Sequence, residues 1–498
     1  MDRLATWVAV VVGTLLLAWL QLSFDGLFDL DSYFHVRAAL ELAENGVEKQ
    51  LPQAAFSTWA EAYSDKDLLF HAFLIPFVSE EAFATGGKWA VVTLDFLVLA
   101  SLALVMQASR VRFGAFWILL LVAASPYYVL RLIPLRPHLL GMAFVSLEIL
   151  LLLGNRWKSL FVVAVLHVWA HSSFPLVGAL LFAWIVVNLV RGERFPTAVT
   201  LAVVAGLAIG SLAHPYFPNN LLMTSQIFEV VQNAWTGGAG GIPPQAAGSE
   251  LKPMLLAQFL KQSPVWVPAL LGVVALVWVR GVRGWSARDL FFLFVACGFL
   301  VMAWASRRFL GEFMLGAVLF AAAAWTSVAA GRTLGEIAAA PRSALALVLL
   351  VGCFGYAAWR VSVEVPERLA AQSTAEIFRP DVERLDELAG PADVVYHPSW
   401  MDFSYLYAFR PHGRYIAGLD PVFLFDWNPK VWKRSFDLSR GVVKKPKRVL
   451  VGDFGARFVF VTKQPRYLAF RRVLARTPGI ERVHEGRAAE IWEVAPAP

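Results

Sequence analysis

The amino-acid sequence predicts a mainly α-helical fold, a polytopic transmembrane bundle that carries a soluble α/β domain at its C-terminal end. Of the 498 residues, 58% are hydrophobic and only 16% are charged, and the mean hydropathy is +0.58. Apolar runs of roughly 17 to 22 residues, long enough to cross ~30 Å of hydrocarbon, recur from the N-terminus to about residue 360. After that point charges are frequent and apolar runs are short, which is typical of a soluble domain.

The apolar runs predict about 11 membrane spans. They lie at residues 4–23, 85–108, 113–131, 137–154, 158–172, 175–190, 196–213, 265–280, 289–305, 310–330 and 342–360. The first run follows Arg3 in the manner of a signal sequence, but "LQLSFDG" lacks a small-x-small cleavage site. We therefore expect the first run to remain as an uncleaved anchor.

Basic residues in the turns predict the orientation of these spans. The turns that would share one side hold Arg110 and Arg112, Arg156 and Lys158, Arg191 and Arg194, Arg280, Arg283 and Arg288, and Arg332 and Arg342. The positive-inside tendency places these turns and the N-terminus on the cytoplasmic side, and we expect the membrane to be the inner membrane of a bacterium. An odd number of spans then puts the loops 24–84 and 214–264 and the domain 361–498 together on the periplasmic face.

The predicted organisation therefore has two domains. Residues 1–360 form the transmembrane domain with its two long outer loops, and residues 361–498 form the periplasmic α/β domain. In the latter, "ADVVYH", "GRYIAGL", "RVLVG" and "ARFVFVTK" predict strands, and "IERVHEG" and "AAEIWEV" predict a closing hairpin. It contains no P-loop, nucleotide fingerprint or serine-nucleophile motif, so we expect it to shape acceptor access rather than perform chemistry.

Charge and cysteine content exclude two classes of protein. The net charge is +7, but most Lys and Arg residues outside the tail lie in the short turns that set topology, so nucleic acid is not a predicted partner. The two cysteines, Cys297 and Cys353, both fall inside predicted spans. The sequence therefore predicts no disulfide framework.

Arginines at the predicted outer face need a separate explanation. Arg131 and Arg136 flank "LIPL", and Arg307 and Arg308 lie in "WASRRFLGEF". A guanidinium group offers a planar fork that matches phosphate oxygens, so these arginines are candidates for binding a phosphate. The alternative is that they only pair with lipid headgroups at the membrane boundary. The histidines predicted within about a turn of this face are His71, His138, His171 and His214.

The first outer loop opens with an acidic pair. In "FDGLFDLDSYFHVRAALELAENG", Asp29 and Asp31 follow the end of the first span and precede a helical pattern. One interpretation is that Asp31 is the N-cap of that helix. The other is that Asp31 accepts a proton from an acceptor hydroxyl or amide, or, with Asp29, holds Mg²⁺ or Mn²⁺. The sequence leaves these alternatives open.

A resemblance favours the chemical interpretation. The segment "DSYFHVRAA" resembles the motif after the first transmembrane helix in the catalytic subunit of oligosaccharyltransferases, through Asp31, Tyr33, Phe34, His35 and Arg37. An acidic residue or pair in the first outer loop is the hallmark of the C-fold (GT-C) glycosyltransferase superfamily, whose members use polyprenyl-phosphate-linked sugars. The later segment "FSTWAEAYSDKDLLFHAFLIPF" is similar to the second part of the same loop in those enzymes.

A second resemblance lies in the tail. The segment "HPSWMDFSYLYAF" resembles the Trp-Trp-Asp-Tyr-Gly acceptor motif of oligosaccharyltransferases through Trp400, Asp402 and Phe403. It departs from that motif at Met401 and Ser404, so recognition of an Asn-x-Ser/Thr sequon does not follow. The Gly- and Pro-rich stretch at 231–253 is expected to be either a lid or a plain connector.

The resemblance implies roles for residues on the outer face. Asp31 and Asp29 would be the catalytic residues and possible metal ligands. The donor-binding residues would be Arg37, Lys66, Asp67, His71, Arg131, Arg136, His138, Arg307 and Arg308. Trp400, Asp402 and Glu250 would contact the acceptor.

These observations predict an integral membrane glycosyltransferase. It would transfer a sugar or glycan, with inversion, from a polyprenyl-(pyro)phosphate donor to a glycan, lipid or protein acceptor on the outer face, with membrane lipids as partners. The alternative is a lipid-glycan flippase or other transporter, and a third possibility is a scaffold with a degenerate site. Transporters usually carry midplane charges and an internal repeat, whereas here the charges gather at one face.

Overall fold

The computed structural model describes residues 2–123, 125–236, 249–281, 284–329, 341–372 and 374–496. The chain folds into two compact units. Unit 1 comprises Met1–Phe24, Trp89–Ala213 and Gly248–Gln372, and unit 2 comprises Asp25–Lys88, His214–Ala247 and Ser373–Pro498. Most residues of the predicted outer loops 24–84 and 214–264 therefore belong to the same unit as the tail. The boundary predicted from the sequence, after residue 360, separates these loops from the tail along the chain.

Unit 1 is helical, and each predicted span contains a helix. The helices are α1 (Asp2–Leu22), most of α5 (Phe83–Ala108), α6 (Gly114–Val122), α7 (Pro126–Leu132), α8 (His138–Leu153), α9 (Trp157–Ala170), α10 (Leu176–Val190), α11 (Thr197–Leu212), α13 (Leu256–Gln262), α14 (Trp266–Arg280), α15 (Ala287–Ala305), α16 (Leu310–Val328) and α17 (Pro341–Ala371). The location of the apolar helices is therefore confirmed. Their bounds fall within a few residues of the predicted ones, except that α17 runs to Ala371.

One predicted span is broken in the structure. The run predicted at 113–131 is divided into α6 and α7, which are bent by 87° to one another. Ser125 is the N-cap of α7, its side chain accepts a hydrogen bond from the Tyr128 amide, and Pro126 occupies the first turn. A Ser-Pro pair starts a new helix because the capping oxygen satisfies a free amide and proline has no amide to leave unsatisfied.

Five helices are long and apolar enough to cross a membrane, or up to seven if each bent pair is one span, among the residues that the structure describes. Four further apolar helices, α8 to α11, have 14 to 16 residues each. This architecture is consistent with a multi-pass membrane protein, and the count of eleven spans stays a prediction.

Small residues allow close helix packing in unit 1. Gly206 and Gly210 of α11 face α9, and a Cβ atom added at Gly206 would lie 2.8 Å from the Ala164 Cβ. At Gly210 it would lie 3.0 Å from the Val168 side chain. Apolar helices in a membrane gain little from hydrophobic burial, so such close backbone approach is a main source of their association.

Unit 2 contains a five-stranded mixed sheet in the order β2-β1-β3-β5-β4. The strands are β1 (Val394–Tyr396), β2 (Arg414–Tyr415), β3 (Ala456–Thr462), β4 (Ile480–Glu485) and β5 (Ala489–Val494). β1 pairs in parallel with β2 and β3, whereas β5 pairs antiparallel with β3 and β4. The predicted α/β tail and its closing hairpin are confirmed.

The remaining elements of unit 2 are helical. From the loops come α2 (Leu30–Asn45), α3 (Trp59–Ala62), α4 (Leu68–Leu74) and α12 (Asn219–Trp235). The tail adds α18 (Arg379–Leu388), α19 (Phe403–Phe409), α20 (Pro421–Trp427), α21 (Pro429–Ser439), α22 (Pro446–Phe454) and α23 (Leu468–Ala475). The strand predicted at "RVLVG" is wrong, because this run lies within α22. Pro446 in the first turn and Gly455 in the left-handed conformation after Phe454 are helix start and stop signals that outweigh the short apolar run.

The first loop also extends the edge of the sheet in unit 2. The Tyr415 amide of β2 donates to the Gln53 carbonyl at 2.7 Å, and the Ala55 amide donates to the Tyr415 carbonyl at 2.9 Å. The Phe56 amide donates to the Ile416 carbonyl at 2.9 Å. The loop and the tail are therefore joined by backbone hydrogen bonds, although more than 300 residues separate them in sequence.

Candidate active site

The acidic pair lies at the N-terminal end of α2. Asp29 occupies the N-cap position, with φ −128° and ψ 148°, and its side chain makes no capping hydrogen bond. Asp31 is the second residue of the helix, so the interpretation of Asp31 as the N-cap is wrong. Both carboxylates are half-buried. A carboxylate in the first turn of a helix interacts favourably with the positive end of the helix dipole.

Two of the motifs singled out in the sequence meet in unit 2. The Ser404 hydroxyl lies 3.5 Å from the Asp31 Oδ1 and donates toward it. On the same face of α2, the Phe34 ring packs against Phe403 and Tyr407 of α19, with centroid separations of 6.3 and 5.9 Å. The tail motif therefore forms part of the surroundings of Asp31. Ser404, which stands at the motif position where glycine belongs, supplies the hydroxyl.

Arg37 is buried and bridges the loop to the tail. Its Nη1 and Nη2 donate to the two carboxylate oxygens of Glu80 at 2.5 and 3.1 Å. Its Nε and Nη2 also donate to the Ala408 carbonyl at 3.0 and 2.8 Å. These bonds use the planar fork of the guanidinium to hold α2 against α19. These hydrogen bonds do not test the donor-binding role predicted for Arg37.

A row of three ionisable side chains runs beside Asp31. The His71 Nδ1 lies 2.7 Å from the Asp65 Oδ2, and the His71 Nε2 lies 2.8 Å from the His35 Nδ1. His35 is four residues after Asp31 and so stands one helical turn further along the same side of α2. The carboxylate orients the His71 ring by accepting its N–H, and a proton can then pass between the facing nitrogens of the two rings.

The pKa values of the two carboxylates near this row are shifted in opposite directions. Burial alone would raise the pKa of Asp65, but the neighbouring His71 outweighs it and brings that pKa below its usual value. Burial raises the pKa of Asp67 against the opposing charge of Lys66, with which it forms an ion pair. The Asp67 amide donates to the Asp65 Oδ1 at 2.9 Å. Lys66 and Asp67, both predicted to bind the donor, therefore contact each other.

His214 comes directly after the segment Trp89–Ala213 of unit 1, but it belongs to unit 2 and is buried there. Burial lowers the pKa of His214 to about 4, although the Asp65 carboxylate acts in the opposite direction. At neutral pH its ring is therefore uncharged. His171 belongs to unit 1, where its Nδ1 lies 2.7 Å from the Ser173 hydroxyl oxygen.

The acceptor residues predicted in the tail have different surroundings. Asp402 is buried, and burial raises its pKa to about 7, with smaller opposing effects from Tyr405 and Arg466. Trp400 is half-buried and lines a cavity of unit 2. The two side chains thus share a short 3₁₀ helix, Trp400–Asp402, but only Trp400 faces that cavity.

In unit 1, the arginines predicted at the outer face surround Glu250. The Arg131 Nη1 lies 3.1 Å and the Arg136 Nη1 lies 3.5 Å from the Glu250 Oε2. The Arg307 Nη2 donates to the Gln258 side chain at 3.1 Å. Arg308 makes no ion pair or hydrogen bond with the residues that the structure describes. We call Arg131, Arg136, Glu250, Arg307 and Arg308 together the arginine cluster. Glu250, predicted to contact the acceptor, belongs to it.

The charge balance of the arginine cluster is positive. Burial alone would raise the pKa of Glu250, but Arg136, Arg308 and Arg131 together lower it to about 2. The carboxylate is thus ionised at neutral pH and neutralises only part of the charge of four guanidinium groups. Beside the cluster, the His138 Nε2 donates to the Arg131 carbonyl at 2.8 Å, which fixes the backbone that carries Arg131. This arrangement can hold an anion with several oxygens, such as a phosphate.

A divalent cation takes several oxygen ligands, of which Asp29 and Asp31 would supply the first two. Within the described ranges, no group of three or more His, Cys, Asp and Glu side chains is placed to hold a metal ion. The residues present therefore do not form a complete ligand set. Mg²⁺ or Mn²⁺ at Asp31 and Asp29 stays a prediction.

The lid or connector predicted at 231–253 is described only at its ends. Residues 237–248 lie outside the described residues, while Glu250 is part of a short 3₁₀ helix, Ser249–Leu251.

Sequence reasoning missed Asp65, Glu80 and the role of His35. The pattern Asp65-x-Asp67, with His71 six residues after Asp65, could have indicated Asp65. No local pattern indicated Glu80.

No model of a known protein family and no curated protein matches this chain. Solved structures do match. The crystal structure of an oligosaccharyltransferase from Archaeoglobus fulgidus, tethered with an acceptor peptide, has a TM-score of 0.65 at 11% identity, covering 97% of this chain and 74% of that one.

Two bacterial structures match over the whole of this chain. ArnT from Cupriavidus metallidurans, bound to undecaprenyl phosphate, has a TM-score of 0.54 at 14% identity, covering 99% of this chain and 99% of its own. The arabinofuranosyltransferase AftD from Mycobacteria has a TM-score of 0.53 at 14% identity and covers 100% of this chain, which spans 40% of AftD. All three are GT-C glycosyltransferases. The resemblance seen in "DSYFHVRAA" is thus confirmed at the level of architecture: this chain has the GT-C fold.

Proposed function

We propose that this chain is an integral membrane glycosyltransferase that transfers a sugar or glycan from a polyprenyl-(pyro)phosphate donor to an acceptor on the outer face of a bacterial inner membrane. The observation that carries the proposal is the position of Asp31. It is a half-buried carboxylate at the start of α2, beside the acceptor-like motif of the tail and one turn before the row His35–His71–Asp65. The fold and the lipid-phosphate ligand of the ArnT structure support the same substrate class.

Asp31 has the chemistry of a general base. It would accept the proton of an acceptor hydroxyl or amide while the acceptor atom attacks the anomeric carbon of the donor sugar. The bond from that carbon to the phosphate oxygen breaks, and the oxygen leaves with the electron pair. Attack opposite to the leaving group inverts the configuration. His35 and His71 can then carry a proton away from the acidic end of α2.

The arginine cluster of unit 1 has the chemistry of a donor-phosphate site. The phosphate gains negative charge as the sugar leaves, and guanidinium forks that are already in place stabilise that charge without reorganisation. Glu250 keeps Arg131 and Arg136 oriented, and Arg308 adds a guanidinium whose charge also acts on Glu250. The polyprenyl chain would stay among the apolar helices.

The experiment that tests the proposal measures release of polyprenyl phosphate or pyrophosphate. Purified protein is incubated with a lipid extract, and the wild type is compared with Asp31→Asn and with the control Asp25→Asn, which removes an exposed charge from the same segment. We expect release by the wild type and by the control only. Equal release from all three proteins would contradict the assignment of Asp31, and no release from any of them would contradict the proposed reaction.

The orientation is tested by reporters. A periplasmic reporter fused after Pro498 should be active, and the same reporter fused after Lys158 should be inactive, because the basic turns fix the sides. An active cytoplasmic reporter after Pro498 would contradict the periplasmic location of the tail.

One observation favours the alternative of a lipid-glycan flippase. In the apolar helices of unit 1, the His167 Nδ1 lies 2.7 Å from the Glu148 Oε1, and both side chains are fully buried. The His167 Nε2 lies 2.9 Å from the Ser173 hydroxyl oxygen, which in turn lies 2.7 Å from the His171 Nδ1. Chains of buried ionisable groups are typical of proton relays in transporters. Proteoliposomes with a fluorescent lipid-linked glycan would separate the two functions, since only a flippase changes its access to a membrane-impermeant quencher, and Glu148→Gln should abolish that change.

A further inference from the structure

A cavity in the tail of unit 2 has no role in the proposed chemistry of Asp31. It has a volume of about 230 Å³ and lies where β1 ends, between the 3₁₀ helix at Trp400, the helices α20 and α21, and the turn at Arg466. For comparison, an engineered protein cavity of about 150 Å³ holds benzene. The cavity of unit 2 therefore has room for one six-membered ring with its substituents.

Aromatic side chains form the walls of this cavity. Trp400, Trp432, Phe436 and Tyr467 all line it. Trp432 and Phe436, one turn apart on α21, stack with their centroids 5.4 Å apart and their planes at 7°. Flat aromatic walls suit the apolar C–H faces of a sugar ring, whose hydroxyl groups need polar partners at the edge of the pocket.

His397, one of the residues that line the cavity, supplies a buried hydrogen-bond acceptor. His397 is only 1% exposed, and its Nδ1 lies 2.7 Å from the Ser399 carbonyl oxygen. A carbonyl can only accept, so Nδ1 carries the hydrogen. Burial lowers the pKa of His397 to about 4, which leaves the ring neutral at pH 7 and gives Nε2 a lone pair. That nitrogen has no hydrogen-bond partner among the described residues.

A buried polar atom without a partner costs free energy, so a ligand that pairs with it gains that free energy on binding. The group that pairs with a lone pair on nitrogen is a hydroxyl donor. The rim of the cavity adds positive charge, because the Arg440 guanidinium lies over the Phe436 ring at 5.5 Å and the Arg466 guanidinium lies over the Tyr467 ring at 4.7 Å. Both arginines are exposed, and guanidinium groups at a mouth of this kind select a carboxylate or phosphate.

We propose that this cavity binds one acidic sugar unit of a glycan, with a ring hydroxyl donating to the His397 Nε2, the ring stacked on the aromatic walls, and the acidic group at Arg440 and Arg466. The inference rests on the proposed function for its biological meaning, since a transferase needs a place to hold the glycan that it extends or transfers. The binding itself does not depend on turnover.

Binding is measured with glucuronate and with glucose as probes. The purified full-length protein is titrated with each sugar, and the change in tryptophan fluorescence together with saturation transfer to the sugar protons reports occupancy. We expect glucuronate to bind more tightly than glucose. Arg440→Ala with Arg466→Ala should weaken glucuronate binding by at least about 10-fold and leave glucose binding nearly unchanged, because the charge-assisted contacts of the carboxylate are lost. The matched control is Arg448→Ala, an exposed arginine of the same unit outside the cavity.

Two further variants keep the test decisive. His397→Phe should weaken both sugars, and Phe436→Ala, at a half-buried position, should do the same without loss of the folded state as judged by circular dichroism. Absence of binding by either sugar to the wild type, or equal affinities for the double variant and the wild type, would overturn the proposal. Asp31→Asn protein should bind glucuronate normally while failing to transfer sugar, so a failure of the proposed catalysis and a failure of the cavity are distinguishable.

Discussion

Two polar clusters of this molecule are each built around a buried or half-buried carboxylate, and they differ in charge balance. In unit 1, Glu250 is outnumbered by arginines, which lower its pKa to about 2 despite burial. In unit 2, Asp65 pairs with a histidine that itself contacts a second histidine, one turn from Asp31. The first arrangement holds fixed positive charge and suits an anion. The second holds two histidine rings and a carboxylate in hydrogen-bond contact and suits proton transfer.

The largest effect is expected at Asp31. Asp31→Asn keeps the shape of the side chain but removes the charge that a base needs, so turnover should fall by at least ~10²-fold. Because Asp31 is not the N-cap of α2, Asp31→Asn should unfold close to the temperature of the wild type, whereas Asp31→Ala also loses the oxygen that accepts from the Ser404 hydroxyl and should be less stable. Sugar transfer and thermal unfolding are measured side by side for both variants. An active Asn variant would leave the catalytic assignment without support.

A smaller effect is expected in the arginine cluster. Arg136→Lys and Arg308→Lys replace a planar fork by a point charge, and each should raise the donor concentration needed for half-maximal rate by about 10-fold. The control is Arg156→Lys, at an exposed position of the same unit on the predicted cytoplasmic side. Unchanged donor dependence in both variants, with protein levels equal to the wild type, would show that these arginines serve only the membrane boundary.

The row His35–His71–Asp65 should matter less than Asp31 itself. Asp65→Asn removes the carboxylate that orients His71, so turnover should fall by less than the ~10²-fold expected for a lost base, with a changed pH profile between pH 5 and 8. Glu61→Gln, at an exposed position in α3, is the matched control. A rate and a pH profile equal to those of the wild type would assign the row a purely structural role.

The smallest effect concerns stability in unit 1. The pKa of Glu250 is lowered in the folded protein from 4.5 to about 2, so its contribution to stability is complete above its ordinary pKa and is lost as the pH falls through about 2. Glu250→Gln should therefore unfold at a lower temperature than the wild type at pH 7, with a gap that narrows between pH 4.5 and about pH 2. A gap independent of pH would contradict the ionised pairing of Glu250 with Arg131 and Arg136.

The sequence alone determined where the apolar helices lie, the α/β character of the tail, and the segment that holds Asp29 and Asp31. These features depend on local quantities, namely the length of an apolar run, alternation along a strand and the spacing of a motif. The turn from α6 to α7 was also readable from Ser125 and Pro126, although the prediction joined the two helices. The run "RVLVG" shows where prediction from local sequence fails, because a short run with only three apolar residues in a row fits a strand or a helix equally well.

The tertiary structure decided which polar groups meet. Ser404 and Asp31 are separated by 373 positions in the sequence, Arg37 and Ala408 by 371, and Arg131 and Glu250 by 119. No local pattern encodes such partners, because charged and polar side chains of many kinds satisfy the same local rules. Tertiary packing determines which polar groups pair, because a buried polar group is stable only where the fold brings a partner within hydrogen-bond distance.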